Sequence, residues 1–148
     1  MALKDLITSS FPQYCETLVS GKSVCFRPMI VLEEKSLLLV KDSDDKTGVL
    51  KTLMNIINSC FDGFVAKESS IADFEHAFLL LRAKSLGEIE SFSIKCPDTG
   101  EDAILKINIL NDIKINKPKS SPKIKINNNL LLIMTPPTIK TLIKYPDY

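Results

Sequence analysis

The sequence predicts an α+β fold in a single domain, with an N-terminal β-hairpin, a three-helix segment and then an antiparallel β-meander. Three observations predict this fold class. Two β-prone segments flank a glycine-containing turn, helical periodicity follows, and the apolar period changes to alternation after Gly87. The length of 148 residues suits one domain with its own core. We expect a single domain over residues 1–148, divided into a hairpin (11–28), a helical part (31–87), a strand part (88–135) and a tail (136–148).

The composition excludes several classes of protein. Hydrophobic residues make up 45% of the chain and charged residues 25%, which is typical of a globular protein and not of a wholly disordered one. The net charge of +1 gives no general reason to expect nucleic-acid binding. The longest apolar stretches, Ala77–Leu81 and Leu130–Met134, are too short to cross a bilayer, so no membrane partner is expected. The first segment, MALKDLITSS, shows no secretory signal.

The N-terminal region predicts a short helix and then a hairpin. Leu3–Ile7 has the pattern of a short amphipathic helix. Tyr14–Val19 and Ser23–Phe26 are β-prone and flank Ser20-Gly21-Lys22, a short glycine loop of the kind that joins two antiparallel strands. Arg27-Pro28 ends the second strand, because proline has no N–H to donate to a ladder.

Two helices are expected after the hairpin. Val31–Lys41 has Glu33 and Glu34 in its first turn and a lysine at its end, an order that suits the helix dipole. Lys46–Phe61 follows Ser43-Asp44-Asp45, which supplies capping side chains, and its apolar residues recur on one face. Asp62-Gly63 ends this second helix.

A third helix is expected over Ile71–Leu86. Ser70 is placed to cap its first turn, with Asp73 three residues later in an arrangement like a capping box, and Gly87 follows its end. We expect the second and third helices to pack against each other and to form the core with the sheet. The expected buried stripe of the third helix, widened by Leu79 and Leu80, consists of Ile71, Phe74, Phe78 and Leu81.

The chain after Gly87 predicts strands. Glu88–Lys95 and Ala103–Leu110 alternate between apolar and polar residues and are expected to pair as an antiparallel hairpin around the turn Cys96-Pro97-Asp98-Thr99-Gly100. Ile104 and Leu110 fall outside the alternation, so we expect the ends of the second strand to be buried on both faces.

The C-terminal region predicts a linker, two more strands and a helix. Lys117–Pro122 is a polar segment interrupted by prolines. Lys123–Ile126 and Leu130–Met134 are short strands around an asparagine-rich turn. Pro136-Pro137 ends the last strand, and Thr138–Tyr145 predicts a terminal helix with its first residue near the cap.

The cysteine and histidine content gives no metal-binding pattern. Cys15, Cys25, Cys60 and Cys96 are spread widely in the sequence and are expected to be reduced, partly buried thiols of a cytosolic protein. Cys96-Pro97-x-x-Gly100 resembles half of a zinc knuckle, but it lacks the second half, and a closed zinc site needs four ligands. We therefore expect the protein to fold without a metal and to use no cofactor.

No catalytic or nucleotide-binding constellation is recognisable. His76, the single histidine, is expected to be a partly buried or surface residue of the third helix, and nothing in the spacing places a thiol beside it. Gly21-Lys22-Ser23 lacks the earlier glycine of a phosphate-binding loop, where Glu16 stands, so it indicates a turn. The lysine-rich segment Lys114–Lys125 has no arginine and no aromatic residue, which favours a solvated linker over a phosphate-binding surface.

Several short blocks, in this order, resemble a known family over about residues 12–140. They are the hairpin with Ser20-Gly21-Lys22, Phe26-Arg27-Pro28, Glu33-Glu34-Lys35, the stretch Leu79–Glu88 (LLLRAKSLGE), the Cys96-Pro97 turn and Pro136-Pro137-Thr138. Together they resemble the baseplate hub subunit family of T4-like contractile-tailed bacteriophages. The resemblance implies a non-enzymatic component of the tail baseplate that acts in assembly through protein–protein contacts.

The resemblance also implies a location, partners and candidate interface residues. The protein would be in the host cytoplasm during assembly and in the virion tail baseplate afterwards. Its partners would be other baseplate or tail hub proteins, with the tape-measure protein as a further candidate. Arg27, Glu34, Arg82 and Lys84 lie in the blocks that carry the resemblance and are expected to serve structure or interface, with Glu34 a candidate carboxylate for Arg27.

The sequence is also compatible with two other functions. One is a tail assembly chaperone that binds the tape-measure protein and is absent from the virion. The other, more distant, is a small enzyme or a nucleic-acid binder. Mass spectrometry of purified virions separates a structural subunit from a chaperone, and salt-dependent retention on DNA would support the nucleic-acid binder.

Overall fold

The computed structural model describes residues 11–41, 43–114, 123–127 and 129–145 and shows the predicted α+β fold in a single domain. The expected helix at Leu3–Ile7 and the expected linker at Lys117–Pro122 lie outside the described residues. No helix in the described ranges is long and apolar enough to span a bilayer. The elements are β1 (Tyr14–Thr17), β2 (Ser23–Phe26), α1 (Val31–Lys41), α2 (Lys46–Cys60), β3 (Phe61–Asp62), a 3₁₀ turn (Ala66–Glu68), α3 (Ile71–Leu86), β4 (Ile89–Lys95), β5 (Asp102–Asn108), β6 (Lys123–Asn127), β7 (Leu130–Ile133) and α4 (Ile139–Lys144).

The N-terminal hairpin is confirmed and belongs to a three-stranded antiparallel sheet in the order β1–β2–β3. Gly21 adopts a φ of +90° in the turn, a conformation that glycine reaches without strain. The first strand ends earlier than predicted, because the Leu18 N–H donates to the Lys22 carbonyl within the turn (2.9 Å). The second helix also ends one residue early, since Phe61 leaves it to pair with Phe26 in the sheet.

The core lies where this sheet meets α2, α3 and the start of α4. Phe26 is fully buried, and its ring stacks on Phe61 with 4.6 Å between centroids. The predicted packing of the second and third helices with the sheet is confirmed, because both helices contribute buried side chains to one cluster. The buried members of that cluster are Leu18, Val24, Phe26, Ile56, Ile57, Cys60, Phe61, Phe64, Ala66, Phe74, Ala77, Leu80, Leu81 and Ile139.

The buried face of α3 differs from the predicted stripe. Phe74 and Leu81 are buried as expected, but Ile71 and Phe78 are only half-buried and pack at the edge of the core. Ala77 and Leu80 take the central positions instead.

The N-terminus of α3 also joins the hairpin to the helices. The Ser70 hydroxyl accepts the Asp73 N–H (3.1 Å), which confirms the predicted cap. The Asp73 carboxylate does not complete a capping box, because it accepts the N–H of Ser20 in the β1–β2 turn (2.9 Å). At the other end, Gly87 follows the last helical residue with a φ of +118°.

The first and last helices differ in how firmly they pack. No residue of α1 is buried, although Leu37 packs at the edge of the core. The short α4 is anchored by Ile139, which is 1% exposed and donates its N–H to the Ser69 carbonyl (3.1 Å). The predicted terminal helix is thus confirmed. It packs with the sheet β1–β3 and the other helices, and we name these elements together the body of the domain.

The expected strands after Gly87 form two separate antiparallel hairpins, β4–β5 and β6–β7. At the base of the first hairpin Ile109 is buried, and its N–H donates to the Glu88 carbonyl across the two strands (2.8 Å). The expectation that Ile104 is buried on both faces is wrong. Its side chain is 72% exposed, because no second layer lies over this end of the hairpin in the described part of the chain.

Candidate protein-interaction site

The β4–β5 hairpin has one apolar face that is left open to solvent. Phe92 lies opposite Leu105, and Ile94 lies opposite Ala103, all on the same side of the ladder. Phe92 is 47% exposed and Leu105 is 45% exposed. The other side carries mainly polar residues. A two-faced antiparallel hairpin of this kind normally covers its apolar side with a second layer.

The β6–β7 hairpin is exposed on both sides. Ile124 and Leu132 are partners on one face, while Lys125 faces Leu131 on the other. The whole run Leu130–Met134 is exposed. We define the hairpin surface as the exposed apolar side chains of β4–β7 and its flank: Ile89, Phe92, Ile94, Ile104, Leu105, Ile124, Ile126, Leu130, Leu131, Leu132, Ile133 and Met134.

A second apolar surface lies between the helices. It is a groove of about 390 Å³ with side chains from α1, α2 and α3 on its walls, and we name it the helical groove. Among the described residues that line it, the two charged ones, Lys41 and Arg82, are both cations. The described lining is Met29, Leu37, Leu38, Lys41, Val49, Leu53, Phe78, Arg82 and Leu86.

Arg27 forms a buried ionic clasp between the sheet and two helices. The residue is 6% exposed, and its guanidinium donates to both carboxylate oxygens of Glu33 (2.8 and 3.0 Å). It also donates to the Pro28 carbonyl (2.9 Å) and to Ser59. The Ser59 hydroxyl in turn donates to Glu33 (2.8 Å). The expected partner Glu34 is therefore wrong, because the neighbouring glutamate holds this position.

The clasp shifts the acidity of its members. Burial alone would raise the pKa of Glu33, but hydrogen bonds from Arg27, the Ile30 N–H and Ser59 lower that pKa to about 2. The same ion pair raises the pKa of Arg27 above its ordinary value. Burial and the adjacent Glu33 carboxylate raise the pKa of the Cys60 thiol to about 12. Cys60 is therefore an unreactive thiol.

The sequence contains a feature that indicates Glu33, and not Glu34, as the partner of Arg27. Glu33 is the third residue of α1, and its carboxylate accepts the N–H of Ile30, the residue before the helix (2.9 Å). This is the helix-side half of a capping box, which fixes the glutamate toward the chain that enters the helix. Glu34 is half-buried and makes no ion pair with a described residue.

Arg82 and Lys84 both pair with acids at the start of the first exposed hairpin. Arg82 donates through Nη2 to Glu90, and Lys84 donates to Glu88 (2.7 Å). Lys84 also lies 5.2 Å from the centre of the Tyr14 ring. The hydrogen bond to Glu88 raises the pKa of Lys84. These two cations link α3 to β4 and fix the direction in which the hairpin leaves the body.

Two cysteines are not the reduced thiols expected from the sequence. Cys15 and Cys25 lie directly opposite each other on β1 and β2 and form a disulfide. The physical reason is the register, since both residues lie five positions from Ser20 at the middle of the hairpin connection. This equal spacing is the signal that sequence reasoning missed. Cys60 and Cys96 are free.

The remaining motifs of the sequence do not converge on a catalytic or metal site. Gly21-Lys22-Ser23 lies in the hairpin turn as predicted, and Cys96 lies in the tight β4–β5 turn, where its N–H donates to the Glu101 carbonyl (2.9 Å). No three His, Cys, Asp or Glu side chains in the described ranges are close enough to hold a metal ion. Whether the protein folds without a metal stays a prediction.

His76 faces a small cavity of about 220 Å³ that Glu16, Leu80 and Ile109 also line. Burial lowers the pKa of His76, partly opposed by Asp73 and Glu16, and its Nδ1 has no hydrogen-bond partner within the described part of the chain. No cysteine lines this cavity among the described residues, so the structure brings no thiol to the histidine. The predicted half-buried position of His76 is confirmed.

The fold and its surfaces define a small α+β protein, and much of its exposed apolar area belongs to the two hairpins and to a groove, a pattern typical of proteins that bind partners. The model of the T4 bacteriophage base plate protein family matches residues 12–147, and the chain belongs to that family. No curated protein and no solved structure matches the chain. Family membership implies a place in the virion tail and contacts with other phage tail or baseplate proteins.

Proposed function

We propose that this protein is a hub component of the contractile-tail baseplate that acts in assembly, without catalysis, through protein–protein contacts. Family membership supports the baseplate role. The hub position rests on the likeness of the sequence blocks around Arg27 and Arg82 to hub subunits. In this proposal the hairpin part (11–28) and the helical part (31–87), with the terminal helix, form the body of a single domain, and the strand part (88–135) makes the main contacts.

The observation that carries the proposal is the hairpin surface. Soluble monomers rarely expose contiguous apolar patches of more than a few hundred Å². Here seven apolar residues of β6–β7 and its flank, from Ile124 to Met134, are at least 44% exposed. An isolated two-stranded hairpin is also marginally stable in water, so both hairpins gain order when a partner covers them.

The candidate interface residues divide into two groups under this proposal. Arg27 is enclosed by its clasp and serves stability, and Arg82 and Lys84 orient the first hairpin. Glu34 is the candidate that is free to meet a partner's cation, since its neighbour Glu33 already satisfies Arg27. Exposed ion pairs contribute little by themselves, so Glu34 would add specificity to a contact that apolar burial drives.

Quantitative mass spectrometry of purified virions tests the proposal. A hub component is expected at a fixed number of copies per tail, in constant ratio to the other baseplate proteins. Its absence from purified virions, together with its recovery in complex with the tape-measure protein from infected cells, would replace the proposal with the chaperone alternative. DNA retention that falls steeply with salt would indicate a nucleic-acid binder instead.

A further inference from the structure

The helical groove has a chemistry that the proposed function does not use. Its walls are apolar side chains from three helices, and Leu38 and Leu86 are 58% and 52% exposed within it. Its charged lining residues in the described chain, Lys41 and Arg82, are both positive. An apolar floor with cations and no described acid is complementary to a partner segment that carries apolar side chains and a carboxylate.

Arg82 supplies an independent reason to expect a carboxylate. Its Nη2 donates to Glu90, but its Nη1 is shielded from water and has no hydrogen-bond partner among the described residues. A buried guanidinium N–H without an acceptor is unfavourable, so Arg82 has hydrogen-bonding capacity that Glu90 does not use. The Arg82 side chain is 24% exposed, which lets a carboxylate placed in the groove reach the guanidinium.

The secondary structure of the occupant follows from the walls. The helices on the walls use their own backbone hydrogen bonds and offer no free strand edge to an extended peptide. A partner segment that satisfies its own backbone hydrogen bonds, as an α-helix does, therefore suits these walls better than an extended peptide. The apolar walls then receive side chains at the i, i+3, i+4 and i+7 positions of such a helix.

We propose that the helical groove binds an amphipathic α-helix of a partner tail or baseplate protein, with an Asp or Glu of that helix paired to Arg82 and Lys41. The proposal rests on the proposed function only for the choice of partner proteins. The groove and the hairpin surface are separate surfaces, so one can fail as an interface while the other is confirmed.

The test uses the full chain and a set of overlapping synthetic peptides, each about four helical turns long, from the baseplate and tail proteins of the same phage. Binding is measured by fluorescence anisotropy. We expect the bound peptides to have an apolar face interrupted by an Asp or Glu. Replacing that acid with Asn or Gln is expected to weaken binding at least about tenfold, as for a lost hydrogen bond to a charged group.

Two matched variants on α1 locate the site. Leu38→Glu places a like charge in the groove and is expected to weaken binding at least about tenfold, whereas Leu39→Glu, on a neighbouring residue that is 84% exposed and outside the groove lining, is expected to leave binding unchanged. Thermal melts check the fold of both variants. If Leu38→Glu is unfolded, Lys41→Glu repeats the test at the rim.

Several results would overturn the proposal. They are the absence of any bound peptide, equal loss in the two leucine variants, binding that does not depend on the acid, and self-association through the groove in sedimentation velocity that Leu38→Glu abolishes. None of these results bears on the copy number of the protein in virions, which tests the proposed function separately.

Discussion

The body of the domain buries its large apolar side chains, whereas the two hairpins β4–β5 and β6–β7 leave theirs exposed to solvent. In the body, Phe26, Ile57 and Leu81 are fully enclosed, a disulfide joins two strands of the sheet, and a buried ionic clasp holds the sheet to the helices. In the hairpins, side chains such as Phe92 and Leu131 are equally apolar but half exposed. The difference teaches that the apolar residues of the body specify the fold, whereas those of the hairpins are available to a partner.

The comparison is tested most strongly by removing one phenylalanine from each region. Phe26→Ala is expected to lower the free energy of unfolding by about 3–5 kcal/mol, because it deletes a fully buried ring that stacks on Phe61. Phe92→Ala, with a ring that is 47% exposed, is expected to cost less than about 1 kcal/mol in the isolated protein. Urea unfolding measures both. Similar losses in the two variants would mean that the hairpin belongs to the folded core.

The two adjacent glutamates give the next largest contrast. Glu33→Gln is expected to cost about 2–4 kcal/mol, because it leaves the buried guanidinium of Arg27 without its counter-charge. Glu34→Gln is expected to change stability by less than about 0.5 kcal/mol, since this side chain has no ion pair with a described residue. Thermal denaturation at neutral pH compares them. A larger loss of stability for Glu34→Gln than for Glu33→Gln would mean that Glu34, as expected from the sequence, is the partner of Arg27.

The acidity of Glu33 gives the clasp a pH dependence of defined sign. Its pKa is about 2 in the folded protein against an ordinary value of 4.5, so on acidification the unfolded chain takes up a proton first. The contribution is therefore complete above about pH 5 and is lost as the pH falls toward 2, with a size of about 2–3 kcal/mol. Urea unfolding at several pH values, repeated with Glu33→Gln, isolates this part. If the free energy of unfolding of Glu33→Gln falls as steeply on acidification, the pH dependence comes from other carboxylates.

The fold and the candidate site were predictable to different degrees, for physical reasons. The bounds of α1 and α3 follow from local rules, such as the cap at Ser70 and the glycine at position 87, and the structure confirms them. The partner of Arg27 and the pairing of Cys15 with Cys25 depend on how elements meet, although a capping position and an equal spacing around the turn indicate them. The exposure of the hairpins was not predictable. Apolar and polar residues alternate along a strand in the same way whether its apolar face is covered by the same chain or by a partner protein.

The disulfide within the body is expected to have a somewhat smaller effect than the clasp. Cys15→Ser with Cys25→Ser, or reduction of the parent protein, should lower stability by about 2–3 kcal/mol on the chain-entropy account, because the bond closes a short loop. Thermal melts with and without a thiol reductant measure the effect, and Cys96→Ser serves as the control because that thiol is free. Equal melting temperatures under both conditions would show that the bond does not contribute to folding in solution.

The smallest expected effect on stability belongs to the hairpin surface, and there the comparison becomes one of function. Phe92→Ser and Leu131→Ser are expected to change the free energy of unfolding by less than about 1 kcal/mol, because each side chain is about half exposed in the isolated protein. Both are expected to reduce incorporation of the protein into baseplates, measured by mass spectrometry of particles from complemented infections.

Lys106→Ser is the control, since it lies on the opposite face of the hairpin from Phe92. Burial of the exposed half of one such side chain against a partner is favourable by about 1 kcal/mol, so the loss accumulates over the many contacts of an assembly while it is small in the free protein. If the three variants are incorporated equally, the hairpin surface is not the contact that joins this protein to the baseplate.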